Sequence, residues 1–347
     1  MFKLGFSIYV SHFEKQKESL LKLKDKNIPI FTSLHIEEEV DDLYLEKVTS
    51  MCQWLKKNGF YLIADVSPKS LDFLSMNNLK ELVYQLGLDN IRLDYGFDNG
   101  EIAQLEDIDV TYNASTVTNV ESSSSEALYM HNFYPRPETG LSDRQLKSLN
   151  QTINRIKGKK AAFISGDHIL RGPIFEGLPT LEKHRTSAPY VQFVDLIKNF
   201  DVDIVFVGDL MLSDSQLDLI LSYIEDGVVK IPVEWYDDKG DNGSLTNQVF
   251  TVRVDSPDQL LRVKESRQYA SARESIEPFH TTERVRGSIT RDNKKYSRYS
   301  GEIQILKTNL PSDERVNVIG YIPHQYHLIL ELLNNGDQFI FQDVSSV

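Results

Sequence analysis

Over the first two-thirds of the chain, short apolar runs of strand length alternate with longer stretches of helical period, the pattern of repeated βα units. Strands are predicted at Leu4–Val10, Ile30–His35, Tyr61–Val66, Asn90–Tyr95, Asp109–Asn113, Ala127–Phe133, Ala161–Ser165 and Asp203–Val207. Helices are predicted between them, among others at Glu14–Lys26, Tyr44–Asn58, Ser70–Met76, Asp143–Lys157, Tyr190–Phe200 and Ser213–Glu225. Eight strands in about 210 residues suit a closed (β/α)8 TIM barrel, ~250 residues in typical cases, better than two Rossmann halves. No Gly-x-Gly-x-x-Gly follows any of these strands, so a nucleotide-binding sheet would lack its phosphate loop.

The rhythm changes after Gly227. Ile231–Trp235 reads as a strand, 237–244 is a polar turn cluster, and further β-type runs follow at Gln248–Val254, Glu302–Leu306, Asn317–Tyr321 and Gln338–Phe341, with a helix expected over 262–273. The expected organisation is a barrel over residues 1–228 and a small antiparallel β-rich domain over 229–347, both of ordinary domain size. Ser122–Ser125 is the one low-complexity tract, a loop or helix start after the fifth strand.

Composition narrows the partners. The 347 residues are 40% hydrophobic and 26% charged, ordinary for a soluble globular protein. Runs such as Ile204–Val207 fall far short of the roughly 20 apolar residues a membrane span needs, so no membrane partner is expected. Met1–Val10 is followed at once by Glu14, Lys15 and Lys17 with no small-residue cleavage site, which reads as a first strand and predicts a cytoplasmic protein. A net charge of −13 argues against nucleic acid, which needs clustered Lys and Arg. It leaves room for a small anion in a locally positive pocket. The single cysteine, Cys52, excludes an internal disulfide or a multi-cysteine metal site and is expected to be a buried small hydrophobe.

In a barrel of this kind the residues just past each strand build the active face. Here they are Tyr9 and His12, His35 and Glu37, Asp65, Asp94, Asn113, the run His131–Gly140, Ser165–His168 leading to Arg171, and Gly208-Asp209. One strand-end aspartate can be a helix N-cap; Asp65, Asp94, Asp167 and Asp209 at four of eight ends point beyond capping. Carboxylates that converge in a pocket push their proton affinities apart, so that one stays an acid while another is ionised, as glycoside hydrolysis requires. Metal-dependent hydrolysis is the alternative, but the His-x-His of an early strand is missing and the histidines are scattered; neither a metal nor another cofactor is expected. Arg136 stands between Pro135 and Pro137, which fix the backbone around it, and Arg171 precedes Gly172-Pro173. Surface pairing with Glu138 or Glu176 is the plain reading of each. Two loop-anchored guanidinium forks on neighbouring strands also suit phosphate or carboxylate. His184-Arg185 adds positive charge after Leu178–Lys183.

The segments Phe31–His35, Ala64–Pro68, Ile91–Gly96, Asn113–Thr116, His131–Ser142 and Gly166–His168 through Arg171–Pro173 to Glu176–Arg185 resemble, in order, a bacterial family once labelled uncharacterised or "outer surface" proteins. That family includes the 6-phospho-N-acetylmuramidases of peptidoglycan recycling. The resemblance runs along nearly the whole barrel and is vaguer after it, where family members carry a cyclophilin-like β-barrel. It implies an intracellular glycosidase that cleaves the phosphorylated amino-sugar disaccharide N-acetylmuramic acid 6-phosphate–N-acetylglucosamine. This substrate carries a phosphate and a lactyl carboxylate, two anions for two arginines.

The expected catalytic carboxylates are therefore Asp65 and Asp94, on adjacent strands, with Asp167 as the third candidate. Asn113, His131 and Tyr134 are expected to hold hydroxyl or acetamido groups, with His35, Asn132, Arg136, Glu138, Arg171 and Glu176 as further substrate contacts. Two alternatives stay open: a hydrolase of another 6-phosphosugar disaccharide, and a non-catalytic sugar-phosphate binding protein. Homo-oligomerisation also stays open.

Overall fold

A computed structural model describes residues 3–24, 28–93, 97, 100–101, 105, 108–116, 127–236, 245–267 and 275–344. The chain divides into two compact units, residues 1–185 with 196–213, and residues 186–195 with 214–347.

In the first unit, strands β1 (Lys3–Ser7), β2 (Pro29–Ser33), β3 (Tyr61–Val66), β4 (Asn90–Leu93), β5 (Asp109–Asn113), β6 (Leu128–Met130), β7 (Lys159–Ile164) and β8 (Ile204–Val207) pair in chain order. Every pairing is parallel, and β1 closes on β8 with Lys3 opposite Ile204 and Phe6 opposite Val207. This is the predicted barrel. Its interior is filled by Phe31, Ile63, Met130, Phe163 and Phe206, with the Phe31 and Phe163 rings edge-on at 5.4 Å. Burying each such side chain contributes roughly 1.5–3 kcal/mol. Because side chains alternate along a strand, the residue two beyond each core member also faces inward, so Ser33, Asp65, Asn132, Ser165 and Gly208 follow this core towards the carboxyl ends.

The helices obey the same logic. Tyr44, Val48, Met51, Cys52 and Leu55 form the buried stripe of the helix Tyr44–Lys57. Cys52 is buried as expected, and burial pushes its thiol up to about 12. Where a helix was expected over 70–76, a capping box between Ser67 and Ser70, with Pro68 in the first turn, starts it earlier, at Pro68–Phe73. A second helix, Leu79–Leu86, follows, capped by Asn78 and ended by Gly87 in the left-handed conformation.

In the second unit seven strands, β9 (Val229–Trp235), β10 (Val249–Thr251), β11 (Leu260–Arg262), β12 (Ser288–Asp292), β13 (Ile303–Leu306), β14 (Val316–Tyr321) and β15 (Gln338–Asp343), form one sheet. Its order is β10-β15-β9-β14-β12-β13-β11. The pairing is antiparallel except between β15 and β9. Leu260–Arg262 is thus a strand where the expected helix over 262–273 should begin; residues 268–273, like the tracts 122–125 and 237–244, lie outside the described residues. Polar bonds explain why 186–195 and 214–226 belong here. Gln216 accepts from Tyr190 N at 3.0 Å and donates to the Tyr326 hydroxyl at 2.8 Å, and Lys230 N donates to the Tyr190 hydroxyl at 2.8 Å.

Candidate active site

Above the aromatic core, β3 and β4 place Asp65 directly opposite Arg92. Arg92 Nη1 donates to Asp65 Oδ1 at 2.9 Å, and the two side chains are only 6% and 9% exposed. Its Nη2 donates to the Oδ1 of Asn132, just past β6. His35, two residues past β2, brings Nε2 to 4.0 Å from Asp65 Oδ2, with Nδ1 3.4 Å from the Ser33 hydroxyl. One fork thus orients a carboxylate and an amide, with an imidazole beside the carboxylate. A buried charge pair carries a desolvation cost that apolar packing would avoid.

A second constellation gathers at the ends of β1, β7 and β8. Tyr9 donates its hydroxyl to Gly208 O at 2.6 Å, and burial pushes that phenol well up. The Arg171 guanidinium lies over the Tyr9 ring at 4.1 Å, a contact worth about 0.5–2 kcal/mol. Asp209 is buried and takes three backbone N–H donors from the β7 loop, Gly166 at 2.8 Å, Arg171 at 2.9 Å and Leu178 at 3.1 Å. Burial raises its proton affinity, and the three amides and Arg171 oppose that. Gly166 is required here, since a Cβ would sit 2.7 Å from Met211 O and 2.9 Å from Asp209 Cβ. Asp209 is therefore the carboxylate that shapes the loop presenting Arg171.

A third group ties the two long loops together. Glu182 accepts from Glu138 N at 2.9 Å and Gly140 N at 2.8 Å, and receives Arg185 through Nε and Nη2 at 2.8 and 2.9 Å. The Arg185 guanidinium, together with these amides, holds the Glu182 carboxyl down to about 2. Arg185 also reaches the carbonyls of Tyr134 at 3.0 Å, Glu176 at 3.0 Å and Gly177 at 3.2 Å. Thr180 completes the strap, its hydroxyl donating to Asn132 O at 2.9 Å.

The structure brings His35, Asp65 and Asn132 together and sets Arg171 on a built loop. Other expected members stand elsewhere. Asp94 lies outside the described residues. Asp167 is exposed, and its two oxygens accept from Ser213 N at 2.8 Å and Ser213 Oγ at 2.6 Å, on a strand end across the barrel from β3. His131 is fully buried and shares a 2.7 Å hydrogen bond with Asn150 of the helix Asp143–Arg155; burial lowers it to about 4. It has the strand parity of Tyr129, which packs towards Ile153 of that helix, so it supports the helix layer instead of a ligand. Asn113 closes a turn by accepting from Ser115 N at 2.9 Å. Tyr134 is half-buried beside Ser115. Arg136, Glu138 and Glu176 are exposed on the strapped loops, Glu138 with a left-handed φ of 70°. Sequence reasoning missed Arg92 as a site residue. The signal was present: a lone arginine inside Asn90–Leu93, flanked by Ile91 and Leu93, has to find a carboxylate if the strand is central. Among the described residues, no group of three or more His, Cys, Asp or Glu converges as a metal site.

Comparison with known proteins adds the family. Models of the N-terminal and C-terminal parts of 6-phospho-N-acetylmuramidase match residues 4–221 and 229–342. A conserved Enterococcus faecalis protein of unknown function, solved as a crystal structure, is 31% identical with a TM-score of 0.83, over 98% of this chain and 96% of that one. An uncharacterized B. cereus protein shares the fold at 24% identity and a TM-score of 0.76, over 98% of this chain and 99% of that one. No curated protein matches significantly.

Proposed function

The chain belongs to the 6-phospho-N-acetylmuramidase family, and on that premise we propose that its barrel hydrolyses the glycosidic bond of N-acetylmuramic acid 6-phosphate–N-acetylglucosamine, inside the cell, in peptidoglycan recycling. We take the catalytic domain as residues 1–228 and the β-rich domain as 229–347, although by compactness 186–195 and 214–228 group with the latter. The observation that carries the reading is the Arg92 fork holding Asp65 and Asn132 at the carboxyl ends of the strands, with His35 alongside.

In this reading Asp65 works as the carboxylate on the anomeric side. It either meets the anomeric carbon or holds the 2-acetamido group so that its carbonyl oxygen does, two routes glycosidases use. Asp94, proposed from the sequence alone, is the acid that protonates the leaving oxygen. Arg171, with its guanidinium laid on Tyr9, takes one of the substrate's two anions, and Arg136 at the rim takes the other. Asp167, occupied by Ser213, is assigned to loop architecture.

The deciding experiment incubates the purified protein with phosphorylated and unphosphorylated muramyl disaccharides and follows free N-acetylglucosamine. Release from the phosphorylated compound alone is expected. Tight binding without release would replace the enzyme by a sugar-phosphate binding protein.

A further inference from the structure

The second unit carries a cavity of about 420 Å³ over one face of its sheet. Register defines that face. Arg262 of β11 is opposite Gln304 of β13, Gln304 is opposite Thr290 of β12, and Asp292 is opposite Val316 of β14. These side chains therefore project to the same side. Leu261, Ile289, Ile303 and Ile305, on the alternate positions, are buried. The opposite face already packs the sheet, and a face needed only for packing would be apolar here too.

It is polar instead, and incompletely satisfied. Asp292 is 6% exposed, and among the described residues its carboxylate has one long hydrogen bond, from Gln304 Nε2 at 3.4 Å. The Gln304 carbonyl is held at 3.0 Å by Thr290, which fixes the direction of the amide. Glu302, just before β13, is buried; its Oε2 receives Arg262 at 2.8 Å, while Oε1 has no hydrogen bond among the described residues. Arg284 lines the cavity and spends only Nε, on Pro311 O at 2.8 Å; its Nη nitrogens make no hydrogen bond among the described residues. Tyr296, Leu260 and Val316 supply apolar wall, and the Tyr296 ring is braced by the Arg315 guanidinium at 4.5 Å.

We propose that this cavity is a second small-molecule site, separate from the barrel, that takes a monosaccharide phosphate. Adjacent acceptor and amide groups on Asp292 and Gln304 suit neighbouring hydroxyls. The Arg284 fork suits a phosphate, and the Tyr296 ring suits the apolar face of a pyranose. The volume is near the lower end of small-ligand pockets, roughly 300–1,000 Å³, which fits one sugar ring. Burial raises the Asp292 carboxyl to about 7, with Gln304 and Arg262 opposing and Glu302 and Asp313 adding to the rise. Near neutrality it therefore serves as donor or acceptor, as a hydroxyl requires.

The test is hydrogen–deuterium exchange on the full chain with millimolar glucose 6-phosphate, glucose or inorganic phosphate. Glucose 6-phosphate is expected to slow exchange in 253–260 and 293–299, and the two partial ligands are not. Arg284→Ala and Tyr296→Ala, both at half-buried positions, should each raise the concentration needed by about ten-fold or more, with exchange elsewhere in the chain unchanged. Arg171→Ala should leave it unchanged, which separates this site from the barrel's. No slowing in these segments, equal slowing by inorganic phosphate, or undiminished slowing in both variants would overturn the proposal.

Discussion

Replacing Asp65 by Asn keeps its shape and most of its hydrogen bonding but leaves Arg92 charged and enclosed. At 2.9 Å and an effective dielectric of ~20, the lost attraction is about 6 kcal/mol before desolvation is counted. Breaking one side of a buried pair usually costs about 3–5 kcal/mol. For a barrel of this size that lowers Tm by roughly 6–20 °C. Asp65→Asn should therefore lose both activity and stability, so loss of turnover alone does not prove a chemical role. Arg92→Gln in the same chain removes the stranded charge and should recover most of the Tm. If Asp65 touches the reacting atoms, activity stays down by ~10²-fold or more in the double variant. Thermal melts followed by tryptophan fluorescence, with Trp54 reporting on the barrel, and N-acetylglucosamine release at a temperature where all variants are folded, give both readouts. Activity returning with stability would refute catalysis by Asp65, and an unchanged Tm in the single variant would refute the buried pair.

Three further outcomes are expected. Arg171→Ala or Arg136→Ala should raise KM for the phosphorylated disaccharide about ten- to a hundred-fold, from a charged hydrogen bond of roughly 1.5–3 kcal/mol; an unchanged preference for phosphorylated substrate in both would remove the anion site. Arg185→Lys, which replaces a fork by a point charge, should make residues 134–140 and 171–178 more readily cleaved in limited proteolysis, and identical digestion patterns would dismiss the clamp. His131 is lowered from its ordinary 6.5 to about 4 when folded, so between those values the unfolded chain binds the extra proton and stability falls as pH drops, by roughly 3 kcal/mol in all. His131→Gln should flatten the dependence of Tm on pH between about 6.5 and 4, and a slope equal to the parent's would refute that assignment.

The barrel was legible because most of its strands are short apolar runs whose alternate residues have one destination, core or helix layer. Residues past the strands were less so, because a polar residue there can face the mouth, the helices or its own loop. His131 and Asp65 look alike in the sequence, each a polar residue closing an apolar run; strand parity separates them, sending one to Asn150 and the other to Arg92. Reading β6 as running from 127 to 133 hid that distinction, since the strand stops at Met130. Asp167 and Asp209 were indistinguishable from catalytic carboxylates because their partners, Ser213 and three backbone amides, are set by loop conformation and not by local pattern. Arg92 could have been found by asking what neutralises a charge inside a central strand.

The strap made by Glu182 and Arg185 also bears on how such a mouth can diversify. Two loops fixed to one another at six backbone positions, the amides of residues 138 and 140 and the carbonyls of 134, 136, 176 and 177, share a common register. An insertion in either displaces anchor points in both. Change of length is thus discouraged, while the exposed side chains on the two loops, Arg136, Glu138, Ile174 and Phe175, can be exchanged without disturbing the frame. Variation in substrate preference on this scaffold should accordingly be written in side-chain identity at those four places, with loop length held constant.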